Sequence, residues 1–236
     1  MDFSSDHINS FFKGRFITGL ETIKEKLNHI KAFVFDWDGV FNDGFKNDAG
    51  SSPYSEVDSM GTNMLRLSHY LQTGIHPVFA VISGEKNNAA FTLAKRECFH
   101  AVYFRIRHKA GAIAHLAAQH GLKNEEIAFV FDDVLDFSAT AITGLRIMVP
   151  HAANPLLAEF CIKNNLVDYI TRCDGHEHAV RETTEMLIAL KGNYEATMKN
   201  RMDFSVVYQE YLAKRNAVST SFYTVDPDNN IKAAIL

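Results

Sequence analysis

The chain has 236 residues, 47% of them hydrophobic, and a formal net charge of −4. That length and apolar content suit one domain with a full core and argue against disorder. The mildly acidic balance gives no footprint for nucleic acid or an anionic membrane. Cys98, Cys161 and Cys173 are odd in number and form no CxxC pair, which fits a reduced, cytoplasmic setting. The start, Met1 to Asp6, lacks the basic residues and apolar run of a signal peptide. No apolar stretch reaches bilayer-spanning length, so a soluble protein is expected.

In chain order, residues 1–16 carry Phe3, Phe11, Phe12 and Phe16, an aromatic content that suggests packing on the core or on a second subunit. Leu20, Ile23, Leu27 and Ile30 recur at helical spacing and predict a helix over 17–30. Ala32 to Phe35 reads as a buried strand. Residues 42–56 are polar and turn-rich, and Asn47-Asp48-Ala49-Gly50 predicts a β-hairpin there. A helix over 62–71 closes at Gly74, and a strand over 77–82 ends at Ser83-Gly84. The pattern continues with a helix over 87–98, a strand over 101–104, a helix over 109–120 closed by Gly121, and a strand over 127–131. A strand over 145–149, a helix over 155–164, a strand remnant at 169–170 and a helix over 179–191 complete it. Beyond residue 195 the chain reads as an extension: a helix over 204–215, then a possible hairpin of 221–225 with 231–236.

Alternating strands and helices predict a Rossmann-like, three-layer α/β/α fold with a central parallel sheet. Ligands of such sheets sit beyond the carboxyl ends of the strands. Asp36 and Asp38, Ser83, the segment before Lys109, and Asp132 with Asp133 all fall at that rim. In Phe33-Val34-Phe35-Asp36-Trp37-Asp38-Gly39 a buried strand ends in two carboxylates that repel unless a cation or proton sits between them. Mg²⁺, which takes a few carboxylates plus a substrate phosphate, suits that arrangement. One carboxylate could also act as a nucleophile.

The ordered motifs Asp36-Trp37-Asp38-Gly39-Val40, Val81-Ile82-Ser83-Gly84, His108-Lys109 and Phe131-Asp132-Asp133 resemble those of the haloacid dehalogenase superfamily of aspartate-nucleophile phosphatases. Asp58-Ser59-Met60-Gly61 and His178-Ala179-Val180-Arg181-Glu182 add a likeness to its 3-deoxy-octulosonate 8-phosphate phosphatase group. The resemblance covers roughly residues 25–190 of a domain taken as 1–195, in which hairpin 42–56 replaces a cap domain. It implies a Mg²⁺-dependent phosphomonoesterase acting on a small phosphorylated metabolite, such as an acidic sugar phosphate. In that reading Asp36 is the nucleophile and Asp38 the general acid and base. Ser83 and Lys109 would contact the phosphoryl group, although Ser83 can equally cap the next helix. A lysine opening a helix opposes the helix dipole, and transition-state charge explains it better.

Asp36, Asp132 and the Asp38 carbonyl would hold the metal, with Asp133 and Asp136 in support. Asp136 reads equally as a plain loop cap. Gly84, His176, His178 and Arg181 are candidate substrate contacts, and Arg181-Glu182 reads equally as a solvated charge pair. His176 and His178 with Cys173 lack a fourth ligand at zinc-finger spacing. The group also implies a homo-oligomer, a tetramer, whose subunits complete each other's sites. Phe131, Glu85 and Ser59 stand where the group has glycine, arginine and glycine, and His176-Glu177-His178 interrupts a glycine-rich run. These departures keep two rivals open: another phosphoryl transfer, such as a sugar-phosphate mutase, and a catalytically weak scaffold of the same fold.

Overall fold

The computed structural model describes residues 5–236; the Phe3 reading lies outside them. In chain order the elements are α1 (Ser5–Phe11), β1 (Arg15–Phe16), α2 (Leu20–His29), β2 (Ala32–Phe35), α3 (Glu56–Thr73), β3 (Val78–Ile82) and α4 (Asn88–Arg96). They continue with β4 (Ala101–Tyr103), α5 (Lys109–His120), β5 (Ile127–Phe131), α6 (Phe137–Thr140), β6 (Leu145–Met148), α7 (Pro155–Lys163) and β7 (Tyr169–Ile170). The chain ends with α8 (Ala179–Leu190), α9 (Tyr194–Met202), α10 (Val206–Asn216), β8 (Ser221–Val225) and β9 (Ile231–Ala233).

One sheet runs in the order β1-β7-β6-β5-β2-β3-β4-β8-β9. It is parallel from β7 to β8, and only the edge strands β1 and β9 run antiparallel. Side chains alternate across it, as the period of two requires. Phe33 and Phe35 of β2 join a core with α2, α3 and α8, whereas Ala32 and Val34 join a second core with α5 and α7. This is the expected three-layer sandwich. Gly74 (φ 70) and Gly121 (φ 63) end α3 and α5 in the left-handed conformation that glycine adopts freely. No described helix is long and apolar enough to cross a membrane.

Two expectations are corrected. Residues 42–55 form no strand pair. The turn at 47–50 forms, with the Gly50 N–H on the Asn47 carbonyl at 2.8 Å and the Asn47 N–H on the Ser51 carbonyl at 3.0 Å. But Asn47 Oδ1 accepts the N–H groups of Ala49 and Ser51, both at 3.0 Å, and Asn42 Oδ1 that of Gly44, so side-chain bonds stand in for a longer ladder. The C-terminal segment also holds two helices where one was expected. Both precede β8, which pairs with β4 and extends the central sheet. Arg215 Nη1 donates to Asn63 Oδ1 at 2.6 Å and the Tyr211 hydroxyl to the Asn63 carbonyl at 3.3 Å, so α10 is held on α3.

Asp168 ties the other side of the sheet together. Its carboxylate accepts Thr18 Oγ1 at 2.7 Å, Lys26 Nζ at 2.6 Å and Arg146 Nε at 2.9 Å, and it is fully buried. Burial raises its pKa, but Arg146, Lys26 and Thr18 outweigh burial and hold it below the ordinary carboxylate value. Asp168→Ala strands the Arg146 charge and should cost about 3–5 kcal/mol, read as a lower urea midpoint. In the parent protein this contribution is present above an unfolded carboxylate pKa of about 3.9 and is lost as pH falls through the lowered folded value.

Candidate active site

The order of the sheet reverses at β2, whose neighbours are β5 and β3, so the crevice of this fold opens at the end of β2. Asp36 is the first residue beyond that strand. Its N–H bonds the Val130 carbonyl at 2.9 Å, which carries the ladder one step past the strand end. Trp37 turns inward, stacks on Phe41 at 4.9 Å and is fully buried. The apolar anchor between them leaves Asp36 and Asp38 on the wall of a cavity of about 600 Å³.

At the cavity floor Lys109 Nζ donates to Asp36 Oδ1 and lies 2.5 Å from Asp136 Oδ1. Lys109 opens α5 and is 2% exposed. Asp136 Oδ2 accepts the N–H groups of Asp132 and Asp133, both at 3.3 Å. Asp133 is exposed, and its Oδ1 accepts the Val134 N–H at 2.6 Å. Burial raises Asp36 well above the ordinary carboxylate value against the pull of Lys109, and Asp136 and Asp132 push it further. Burial likewise raises Asp136, again opposed by Lys109. For Lys109 burial acts downward, but the Asp36 and Asp136 carboxylates outweigh it, so the ammonium stays charged. One ammonium therefore pairs with two buried carboxylates and Asp132 lies close beside them, an excess of negative charge that a cation would relieve.

Asp36, Asp132 and Asp136 each offer an oxygen within 4.8 Å of the others. An all-oxygen, carboxylate donor set fits a hard divalent cation. The space beside Asp132 is kept by Gly39, at φ 83, where a Cβ would collide with the Asp132 carboxylate. Asp136 thus stands beside Asp36 and Asp132, the carboxylates that the sequence reading gave to the metal along with the Asp38 carbonyl. The Asp38 side chain is engaged elsewhere: it accepts from Ser52 Oγ and pairs with Lys46 at 2.7 Å. Ser52 in turn accepts from Asn87 Nδ2 at 2.9 Å, which fastens the 42–55 loop to the start of α4.

Ser83 is buried at the end of β3, and its hydroxyl accepts the Glu85 N–H at 3.2 Å. Gly84, next to it, lines the cavity. His176 and His178 line a separate cleft of about 400 Å³ that shares Asp43 with the main cavity. Arg181 lies away from both clefts. Its N–H bonds Asp58 Oδ1 at 2.9 Å and its guanidinium bonds Glu185 at 2.8 Å. Glu182 accepts the Tyr169 hydroxyl at 2.6 Å and the Cys173 N–H at 2.7 Å, so neither residue is half of a solvated Arg181-Glu182 pair. This run packs where Gly175 meets the first motif: a Cβ there would strike the Asn42 and Gly39 carbonyls.

Three polar lining residues escaped the sequence reading. His151 Nε2 lies 2.9 Å from Asp132 Oδ2, and this contact raises the histidine pKa. Arg107 and Asn154 line the same cavity. His151 and Asn154 follow β6, and inspecting that strand end as the others were inspected would have found them. Arg107 lies in the segment before Lys109.

No protein-family model matches the chain. KdsC, the 3-deoxy-D-manno-octulosonate 8-phosphate phosphatase of Escherichia coli BL21-DE3, is 25% identical over 177 residues, 73% of this chain and 87% of the relative. Among solved structures, a haloacid dehalogenase superfamily hydrolase of subfamily III A from Legionella pneumophila matches with TM-score 0.65 at 24% identity, covering 78% of this chain and 96% of that one. The 3-deoxy-D-manno-octulosonate 8-phosphate phosphatase of Moraxella catarrhalis, solved with a magnesium ion, a phosphate ion and KDO, matches with TM-score 0.63 at 27% identity, covering 78% and 99%. In its fold and its strand-end acids the chain is similar to the haloacid dehalogenase class of α/β proteins. Within that class it is similar to the KdsC group.

Lys109→Met leaves the buried acids without their cation and should cost about 3 kcal/mol or more at neutral pH. Because burial raises Asp36 and Asp136, the repulsion is present above their folded pKa values and fades as they protonate. Urea unfolding at pH 7.5 and pH 5, chosen as about neutral and about one unit above the free carboxylate pKa, should show the gap to the parent protein narrowing at the lower pH.

Proposed function

We propose that this chain is a Mg²⁺-dependent phosphatase that hydrolyses a small phosphorylated metabolite, an acidic sugar phosphate, through a phosphoaspartate on Asp36. The observation that carries this reading is the close group of Asp36, Asp132 and Asp136 on an open cavity, with Lys109 paired to Asp36 and Asp136. The similarity to KdsC of Escherichia coli and to the Moraxella catarrhalis enzyme supports the substrate class.

Asp36 attacks phosphorus while the bond from phosphorus to the substrate oxygen breaks, and Asp38 gives that oxygen a proton. Asp38 then takes a proton from water. The water oxygen attacks phosphorus, inorganic phosphate leaves, and the Asp36 carboxylate is restored. Ser52 and Lys46 aim Asp38 for both transfers. The Ser83 hydroxyl accepts from Glu85 N–H, so its own proton remains free for a phosphoryl oxygen. Lys109 keeps its charge beside Asp36 and offsets negative charge on the transferring group. Asp36 and Asp132, with the Asp38 carbonyl, would hold Mg²⁺, which when bound neutralises charge on the phosphoryl oxygens. Asp136 pairs with Lys109 and accepts two backbone N–H groups, and it acts by positioning them. The free thiols of Cys98, Cys161 and Cys173 suit a cytoplasmic setting.

Asp36→Asn should lose at least about a thousandfold in turnover of a phosphomonoester with unchanged circular dichroism, since an amide cannot replace the nucleophile. Exhaustive chelation with EDTA should abolish the parent activity and Mg²⁺ restore it. An active Asp36→Asn protein or an active metal-free protein would overturn these assignments.

The cavity needs cover against bulk water, and among the described residues no cap domain supplies it. Leu135 in its wall, with Val134 and Phe45, exposes more than half its surface, apolar area of the kind subunit contact buries. That surface calls for a neighbouring subunit, and the resemblance to the 3-deoxy-octulosonate 8-phosphate phosphatase group sets the expected number, a homotetramer with sites shared between subunits. Light scattering at assay concentration should give about four times the 26.5 kDa chain mass, and a fully active monomer would refute shared sites.

A further inference from the structure

Beside the main cavity lies a second, of about 320 Å³, lined by Gly84, Glu85, Arg105, Arg107, Val225 and Asn229. Gly84, Glu85 and Arg107 line both, so the two are continuous along the rim. Topology brings the last two residues there. Because β8 runs parallel to β4, with Tyr223 opposite Tyr103, its carboxyl end emerges on the same edge of the sheet as Asp36 and Lys109. The turn from β8 to β9 then stands beside the loop from β4 to α5.

Both walls are built firmly. In the turn, Asp226 Oδ1 accepts the N–H groups of Asp228 and Asn230, both at 2.9 Å, and Asn229 takes φ 62. In the facing loop Ile106 is buried, and its N–H bonds the Ser83 carbonyl at 3.1 Å. That anchor leaves Arg105 and Arg107 exposed on either side of it. Arg105 takes φ 59, a left-handed conformation uncommon for a long side chain and typical of residues held for a purpose. Among the described residues neither arginine makes an ion pair or a side-chain hydrogen bond. Two guanidinium groups against the single Glu85 carboxylate leave this cavity net positive.

We infer that the second cavity is a subsite for an anionic group on the part of the substrate that is not transferred, a carboxylate or a second phosphate, gripped by Arg105 and Arg107 and walled by the β8–β9 turn. The inference rests on the proposed reading of the main cavity as the phosphoryl site. Guanidinium forks match either anion in bidentate geometry. Glu85, between the cavities, would accept from a hydroxyl on the connecting chain. The C-terminal extension thereby acquires a role in substrate choice, as the wall that turns an open rim into a pocket.

Direct binding tests this without turnover. Alkylphosphonates, carboxyalkylphosphonates and alkylbisphosphonates of matched and increasing chain length are titrated calorimetrically into the full chain with Mg²⁺. At the best length an anionic tail should tighten binding about tenfold over the plain alkyl tail, and the better of the two tails identifies the anion. In Arg105→Gln that ratio should fall close to one. Asn229→Asp keeps a residue that tolerates the left-handed backbone and adds a carboxylate to the wall, so it too should depress the ratio. No preference for an anionic tail in the parent protein, or a preference that survives both substitutions, overturns the subsite. A preserved preference in a parent protein that hydrolyses no phosphate ester would overturn the phosphatase reading and leave the subsite standing.

Discussion

A single buried ammonium organises this molecule. Lys109 reaches Asp36 at the end of β2 and Asp136 beyond β5 from the first turn of α5, with its own exposure reduced to 2%. Removing a charge from water is costly, and only close, well-directed counter-charges offset it. That requirement sets where β2, β4 and β5 must end relative to one another. The parallel register supplies the match, since Phe35 lies opposite both Val81 and Val130. A shift of one residue would turn Asp36 to the opposite face and leave Lys109 alone.

The first motif shows how packing and chemistry share a few residues. Trp37 fills the core between two acids that must stay at the surface of a cavity, and its ring on Phe41 fixes their direction. The 42–55 loop then returns through Ser52 to Asp38 and through Asn87 to α4. A loop held by side-chain hydrogen bonds can aim a proton-transfer group without a ladder of its own. The second contact with this region comes from Gly175, where only a missing Cβ lets the 173–178 segment approach the Asn42 carbonyl.

The C-terminal segment changes the architecture more than its length suggests. In the KdsC-like relative the similarity spans 73% of this chain. Here α9 and α10 cover α3, and β8 continues the parallel sheet beyond β4 before β9 closes the edge. Parallel pairing matters, because an antiparallel β8 would have sent its turn to the far end of the sheet, away from the acids.

Much of this was legible from local patterns. Short apolar runs such as Ala32 to Phe35 and Ile127 to Phe131 read as strands buried on both faces, and acids placed directly after them marked the rim of the crevice. Gly74 and Gly121 marked helix ends because the left-handed conformation is a local property. The partners of each side chain were a different matter. Asp36 and Lys109 are 73 residues apart, and Asp58 and Arg181 are 123 apart. Nothing in spacing says that Arg181 turns to Glu185, that Glu182 caps the 172–173 backbone, that His151 joins Asp132, or that the 42–55 loop forgoes strand pairing. Sequence by itself determined the alternating strands and helices of the central sheet and the rim where most of the acids gather, since those follow from periodicity and backbone preference. The tertiary structure alone decided which charges meet, because sheet register and helix packing set those distances.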